Sequence, residues 1–241
     1  MSTTNYTVFR KGLSRYGSLQ MNASRVVSLF SEAPLSTRGF IWLRWTFTPY
    51  PRIASVLPAR GQILDLGSGH GLLALALSLG SGQREIIGVD HDAGRVALAE
   101  KATANSGGVS RPRFEVGDLE KALATFSDAS LSGIAMIDIL HYFDAAAQKA
   151  LLHEAARVLR PAGILAMREV DSEGGVAAVW NKCYEKLSLR VGFTRSLRRQ
   201  PEFRSVSSWT GILEGAGFTV HSEPCGSPIF SDVLFIATRA G

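Results

Sequence analysis

"ILDLGSGHG", residues 63–71, joins a short apolar run to a turn with glycines at alternate positions, Gly67, Gly69 and Gly71. The run "LLALALSL" (72–79) follows directly and reads as a buried helix ending at Gly80. A strand, a glycine turn and a helix in that order form a cradle for a nucleotide. Dinucleotide cradles space their glycines G-x-G-x-x-G, yet the third of those positions is Leu72 here. Asp65, two residues before the first glycine, argues the same way. A pyrophosphate sits at a helix N-terminus because that end is electropositive, and a neighbouring carboxylate would repel it. A ligand bearing a cationic group would be drawn to Asp65 instead.

Outward from this turn, apolar runs alternate with helical patterns. "EIIGVD" (85–90), "RFEVGD" (113–118), "GIAMIDIL" (133–140) and "GILAMREV" (163–170) read as strands, after "QILDL" (62–66). Asp92 is placed to cap a helix through "AGRVALAEKATAN", which stops before Gly107 and Gly108. Asp144 is placed to cap "AAAQKALLHEAARVL", with Pro161 and Gly163 closing that helix. "TVHSEPC" and "DVLFIATR" read as two final strands able to pair antiparallel at a sheet edge. The alternation predicts an α/β fold: a Rossmann-like doubly wound sheet, mostly parallel with an antiparallel last strand, helices on both faces. Ligands bind at the carboxyl ends of such strands. Asp65, Asp90, Asp118 and Asp138 close four of them. Asp90, 23 residues after Gly67, is placed to accept both hydroxyls of an unphosphorylated ribose.

The ordered set "ILDLGSGHG", "GVDHD", "FEVGDLEKAL", "AMIDILHYFD" and "VLRPAGILAMREVD" resembles the class I S-adenosylmethionine-dependent methyltransferases over roughly residues 60–170. "LEGAGFTV" and "LFIATR" resemble that family's last helix and strands. The resemblance implies S-adenosyl-L-methionine as cofactor and methyl transfer as activity. It implies that Asp65, Gly67, Ser68, Gly69 and Gly71 line the methionine part of the cofactor. Asp90 would hold the ribose, and His91 would pack on the adenine, bounded by Asp118 and Leu119. Asp138 and Ile139 would lie beside the reacting methyl. Gly71 has a second reading, as a position of close helix–strand packing.

The chain has 241 residues, 46% of them apolar and 20% charged, enough for a sizeable core. Its net charge of +5 is uneven. Residues 1–60 hold eight Lys/Arg against one acid, Glu32, and a second basic cluster comprises Arg190, Arg195, Arg198, Arg199 and Arg204. The expected organisation is an N-terminal helical cap over the acceptor site (1–60) and a cofactor-binding domain (61–241) with an insert at about 172–206. The helical stripe from Val176 to Leu187 lies in that insert, with Cys183 on it. Cys183 and Cys225 are isolated, no His/Cys cluster has metal spacing, and no signal or membrane span is apparent. A cytoplasmic protein without a metal is expected.

Acceptor chemistry is less legible. His141 and Tyr142 follow Asp138 and are placed at the mouth of the site. His141 is the candidate general base, with Tyr142 and Glu169 as alternates for the role. Asp171 could also face the acceptor. "DILH" after the fourth strand lacks the Pro-Pro-Tyr of enzymes that methylate planar amino groups, and no cysteine is placed for attack on a cytosine ring. Those absences favour a small-molecule acceptor over nucleic acid. "RGFIWLRWTFTPYPR" (38–52) holds five of the 21 aromatics: Phe40, Trp42, Trp45, Phe47 and Tyr50. They form either the packing of the cap or an aromatic-lined pocket. The basic surface adds an anionic handle to the expected acceptor: a carboxylated aromatic, a lipid, or a chain on an acidic carrier protein. It is also compatible with peripheral contact to an anionic membrane. The rival readings are an RNA-binding or RNA-modifying protein on the same fold, and an enzyme that uses the sulfonium cofactor without methylating.

Overall fold

The computed structural model describes residues 22–80, 82–174, 202–225 and 231–241. The insert stripe Val176–Leu187, Cys183 and four arginines of the second cluster (190, 195, 198 and 199) lie outside them.

One sheet organises the described residues. Its strands are β1 (Gly61–Leu66), β2 (Arg84–Asp90), β3 (Arg113–Val116), β4 (Leu131–Ile137), β5 (Leu159–Val170), β6 (Phe218–Pro224) and β7 (Asp232–Arg239), in the order β3-β2-β1-β4-β5-β7-β6. Pairing is parallel from β3 through β5, and β7 runs antiparallel to both β5 and β6. The expected doubly wound sheet with an antiparallel last strand is what forms. β4 is buried along its whole length, which explains its unbroken apolar run.

Three local readings are corrected. β4 stops at Ile137, because Asp138 turns into the left-handed region at φ 57° and Leu140–Tyr142 form a 3-10 turn. The helix Ala145–Val158 ends before Pro161, and β5 already begins at Leu159. Leu131 pairs with Leu159 but Gly133 with Ile164, so a register shift absorbs Pro161 where a regular ladder would need its N–H. Asp118 lies beyond β3 and caps a short helix, accepting from Glu120 N at 2.9 Å. The caps expected at Asp92 and Asp144 do form: Asp92 accepts from Gly94 and Arg95 N, and Asp144 from Ala147 N at 2.9 Å.

The cap consists of α1 (Ala23–Ser28), α2 (Leu35–Phe47) and α3 (Tyr50–Val56), followed after β1 by the buried helix α4 (Leu72–Ser78). Phe30, Ile41, Tyr50, Ile53 and Leu57 from the N-terminal stretch share one apolar cluster with Leu72–Leu77, which seats the cap on the sheet above β1. α4 meets the sheet through Gly71. That residue has φ 72°, and a Cβ on it would stand 2.8 Å from Ala99 Cβ and 2.9 Å from Phe114 Cζ. Gly71→Ala is therefore expected to destabilise the fold by roughly 2–4 kcal/mol, combining left-handed strain with overpacking. Urea denaturation checks it, and an unchanged midpoint would contradict the packing role.

Candidate active site

The carboxyl ends of β1, β2 and β4 open into a single cleft beneath α2 and α3. Asp65, Gly67, Ser68, Gly69, Asp90, His91, Leu119, Asp138, Ile139 and Tyr142 all line it. Gly71 and Asp118 do not line it: the first is packed under the turn and the second is engaged as a cap.

Backbone hydrogen bonds hold the glycine turn on β2. Gly67 and Ser68 donate to Val89 O at 2.8 and 3.0 Å. Asp90 Oδ2 accepts from Gly69 N at 2.8 Å and Asp90 Oδ1 from Asp92 N at 3.0 Å. A Cβ on Gly67 would come within 2.5 Å of Ile139 Cγ2, so only glycine lets the turn approach the segment after β4. Gly69 at φ 53° faces open space, with nothing within 4 Å of a Cβ position.

Two carboxylates lie under this turn. Asp65 is 2% exposed and Asp90 3%. Burial, reinforced by the Asp90 charge, pushes Asp65 up to about 7. Asp65 Oδ2 has no hydrogen-bond partner among the described residues. A buried acceptor left in this state calls for a cationic or N–H-bearing ligand. The amine and sulfonium of S-adenosylmethionine supply positive charge, and the ribose hydroxyls suit Asp90, so these residues fit that cofactor.

A chain of charges crosses the far end of the cleft. Arg44 of α2 donates through Nη1 to Asp138 Oδ2 at 2.6 Å. Arg168 of β5 donates through Nη1 to both Asp138 oxygens, 2.6 Å to Oδ1, and through Nη2 to Asp232 Oδ2 on β7. Burial works against the Asp138 carboxylate, but the guanidiniums of Arg168 and Arg44 outweigh it and hold it below the usual range. Asp232 differs: burial pushes it up to about 6 despite Arg168.

His141 and Glu169 are placed elsewhere than expected. Each side chain is 1% exposed, and neither lines the cleft. His141 Nδ1 meets Glu169 Oε2 at 2.7 Å, and Glu169 Oε1 accepts from Leu140 N at 2.7 Å. The imidazole stacks on Phe203 at 5.0 Å between centroids. The 3-10 turn after β4 carries His141 back over β5, where Glu169 waits, so the pair braces the turn from below. Gln148, fully buried, donates to Leu140 O and Phe143 O at 3.0 Å and completes the brace. Of the three catalytic candidates only Tyr142 reaches the cleft. Asp171, the other residue considered for the acceptor, pairs in an isolated bridge with Arg204 and lies outside the lining.

The aromatic stretch divides. Phe40 and Tyr50 line the cleft, Trp45 stacks on Tyr50 at 5.4 Å, and Trp42 points outward at 47% exposure. Phe47, half-buried, is not among the lining residues. Sequence reasoning missed His70, Arg44, Arg95 and Phe143, which also line the cleft. Burial, with Arg95 adding to it, pushes His70 down to about 4, so its ring is neutral at pH 7. It lies 6.5 Å from Phe30 and 5.8 Å from Phe40. Its position inside "GSGHG" was the available signal. Among the described residues no group of three His, Cys, Asp or Glu could hold a metal, and no helix is long and apolar enough to cross a membrane.

Residues 63–163 match the family model of a methyltransferase domain. No curated protein matches the chain. Among solved structures, a SAM-dependent methyltransferase from Methanosarcina mazei is 20% identical, with a TM-score of 0.59 over 80% of this chain and 99% of that one. An O-methyltransferase family protein from Burkholderia thailandensis is 19% identical, with a TM-score of 0.65 over 88% of this chain and 62% of that one. The [4+2]-cyclase SpnF is 16% identical, with a TM-score of 0.60 over 79% of each chain. Residues 63–163 thus match a methyltransferase domain, and the fold of the described residues is shared with SAM-dependent methyltransferases.

Proposed function

We propose that the protein transfers a methyl group from S-adenosyl-L-methionine to a small, apolar or aromatic acceptor. The observation that carries this reading is the pairing of a buried carboxylate with one unpartnered oxygen, Asp65 Oδ2, with an open glycine turn beneath an aromatic roof. The cofactor supplies an electrophilic methyl on a sulfonium. The chain's own residues do the rest. Asp90 and the turn receive the nucleoside side, with His91 and Leu119 flanking it. Phe40, Tyr50, Tyr142 and Phe143 enclose an acceptor and keep water away from it. Positioning alone supplies much of the rate in such a displacement. Tyr142 is the polar group that meets an acceptor hydroxyl, while His141 and Glu169 hold Tyr142 in place from behind.

Isothermal titration with the cofactor and with S-adenosylhomocysteine tests the reading. Asp90→Ala should raise both dissociation constants by roughly 10- to 100-fold, the worth of one or two charge-assisted hydrogen bonds. If NAD bound and neither sulfonium cofactor nor product did, the reading would be lost.

Two rivals remain distinguishable. The RNA reading rested on basic composition, and several of those arginines are engaged within the fold: Arg44 with Asp138, Arg52 with Glu223 at 2.8 Å, and Arg204 with Gln148 at 2.6 Å. Salt-sensitive RNA binding without transfer to any small molecule would favour it. The cyclase neighbour shows that this fold also carries other chemistry. A product heavier than the acceptor by one methylene separates transfer from rearrangement.

A further inference from the structure

Among the described residues, Arg44 is the cation that the cap extends into the cleft. Its side chain is 23% exposed, whereas Arg168, on the opposite side of Asp138, is 5% exposed and outside the lining. Asp138 thus has two guanidinium partners of unequal access. Arg168 alone reaches both of its oxygens. Leaving a buried charge without a partner is strongly destabilising, which normally locks such a pair shut. Here Arg168 keeps both Asp138 oxygens partnered when Arg44 turns to another anion.

We propose that Arg44 is the acceptor's anchor: it exchanges Asp138 for the carboxylate of an aromatic acid bound between Phe40 and Tyr50. This rests on the methyl-transfer reading above and narrows its acceptor to aromatic carboxylates. Phe40 stands four residues before Arg44 on α2, so its ring and the guanidinium flank the same side of the cleft. A flat acid can lie on the ring while its two oxygens meet the planar fork of the guanidinium. The cleft's other lining arginine, Arg95, is 3.8 Å from Asp92 at the start of the helix after β2, on the side of the turn and Asp90. It is therefore placed for the cofactor side, and among the described residues Arg44 is the lining arginine on the acceptor side.

The test uses the whole protein saturated with S-adenosylhomocysteine. The probes are benzoate, 2-hydroxybenzoate, 4-hydroxybenzoate and 3,4-dihydroxycinnamate, each beside its primary amide, read by isothermal titration. At least one acid should bind about tenfold or more tightly than its amide. Arg44→Gln should abolish that preference by weakening the acid alone, with S-adenosylhomocysteine affinity within about twofold of the wild type. Arg44→Lys, which keeps the charge but not the fork, should fall between the two and guards against a folding defect in the glutamine variant. The proposal is overturned if no acid binds, if amides bind as well as acids, or if the preference survives Arg44→Gln. Amides that bind as tightly as their acids would remove the anchor and leave methyl transfer standing. Failure of the wild type to bind S-adenosylhomocysteine would remove both.

Discussion

Glu169→Ala should cost about 3–5 kcal/mol of folding stability, because it leaves two buried hydrogen-bonding groups without this partner at roughly 1–3 kcal/mol each. The substitution deprives two groups at once, Leu140 N and His141 Nδ1, each 2.7 Å from the carboxylate. For a domain of this size the melting temperature should fall by roughly 6–20 °C. Glu169→Gln keeps one acceptor oxygen and should lose about half as much. The functional signature is sharper than the thermal one. The pair braces the segment bearing Ile139, Tyr142 and Phe143 but touches neither Asp90 nor the glycine turn. Turnover in the glutamine variant should therefore drop while cofactor affinity holds. A melting temperature unchanged in Glu169→Ala, or equal losses of cofactor binding and turnover in Glu169→Gln, would contradict the bracing role.

Asp65→Asn should move stability and cofactor binding in opposite directions. Burial raises Asp65 from an ordinary value near 3.8 to about 7 in the folded protein. The folded state then holds a proton that the unfolded state has released between those two values. The resulting stabilisation is complete below about pH 4 and is lost as the pH climbs through 7. Above pH 7 the free protein carries a buried ionised carboxylate, at a cost of up to about 4 kcal/mol. Asparagine removes that cost, so the variant's melting temperature should exceed the wild type's at pH 8 and converge with it near pH 5. The same charge is what a cationic ligand meets. Wild-type affinity for S-adenosylmethionine should rise from pH 6 to pH 8, and the variant should bind more weakly with a flat profile. Melting curves and titrations at three pH values decide the matter, and a variant less stable than the wild type at pH 8 would count against it.

The parts of this architecture that sequence alone could reach are those governed by local rules. Strand–helix alternation, the spacing of Gly67, Gly69 and Gly71, and the caps Asp92 and Asp144 are short-range features, and all were legible. Asp118 and Asp138 were harder, because each sits just past a strand that ends earlier than its apolar run suggests. The left-handed turn at Asp138 left no mark in composition, and the groups that pair with its side chain, Arg44 and Arg168, come from distant segments. His141 was misplaced for a related reason. Nothing within "DILHYFD" says that Glu169, 28 residues later, draws the imidazole inward. His70 was overlooked because its aromatic neighbours Phe30 and Phe40 arrive from the cap. Division of labour among the five aromatics of residues 38–52 likewise depended on which face of α2 meets the cleft.

The position of β7 carries a consequence for how the molecule is made. β6 is synthesised before β7, yet β7 lies between it and β5 and is β6's sole strand neighbour among the described residues. During translation β6 has no strand to join, and β5 stays an open edge with Arg168 lacking Asp232 beside it. Unpaired edges next to apolar strands are templates for association with other chains. Completion of the sheet is therefore a late, all-at-once event, timed by the emergence of residues 232–239. A ribosome that stalls shortly before them would hold a chain with a finished cofactor turn and an exposed, adhesive edge.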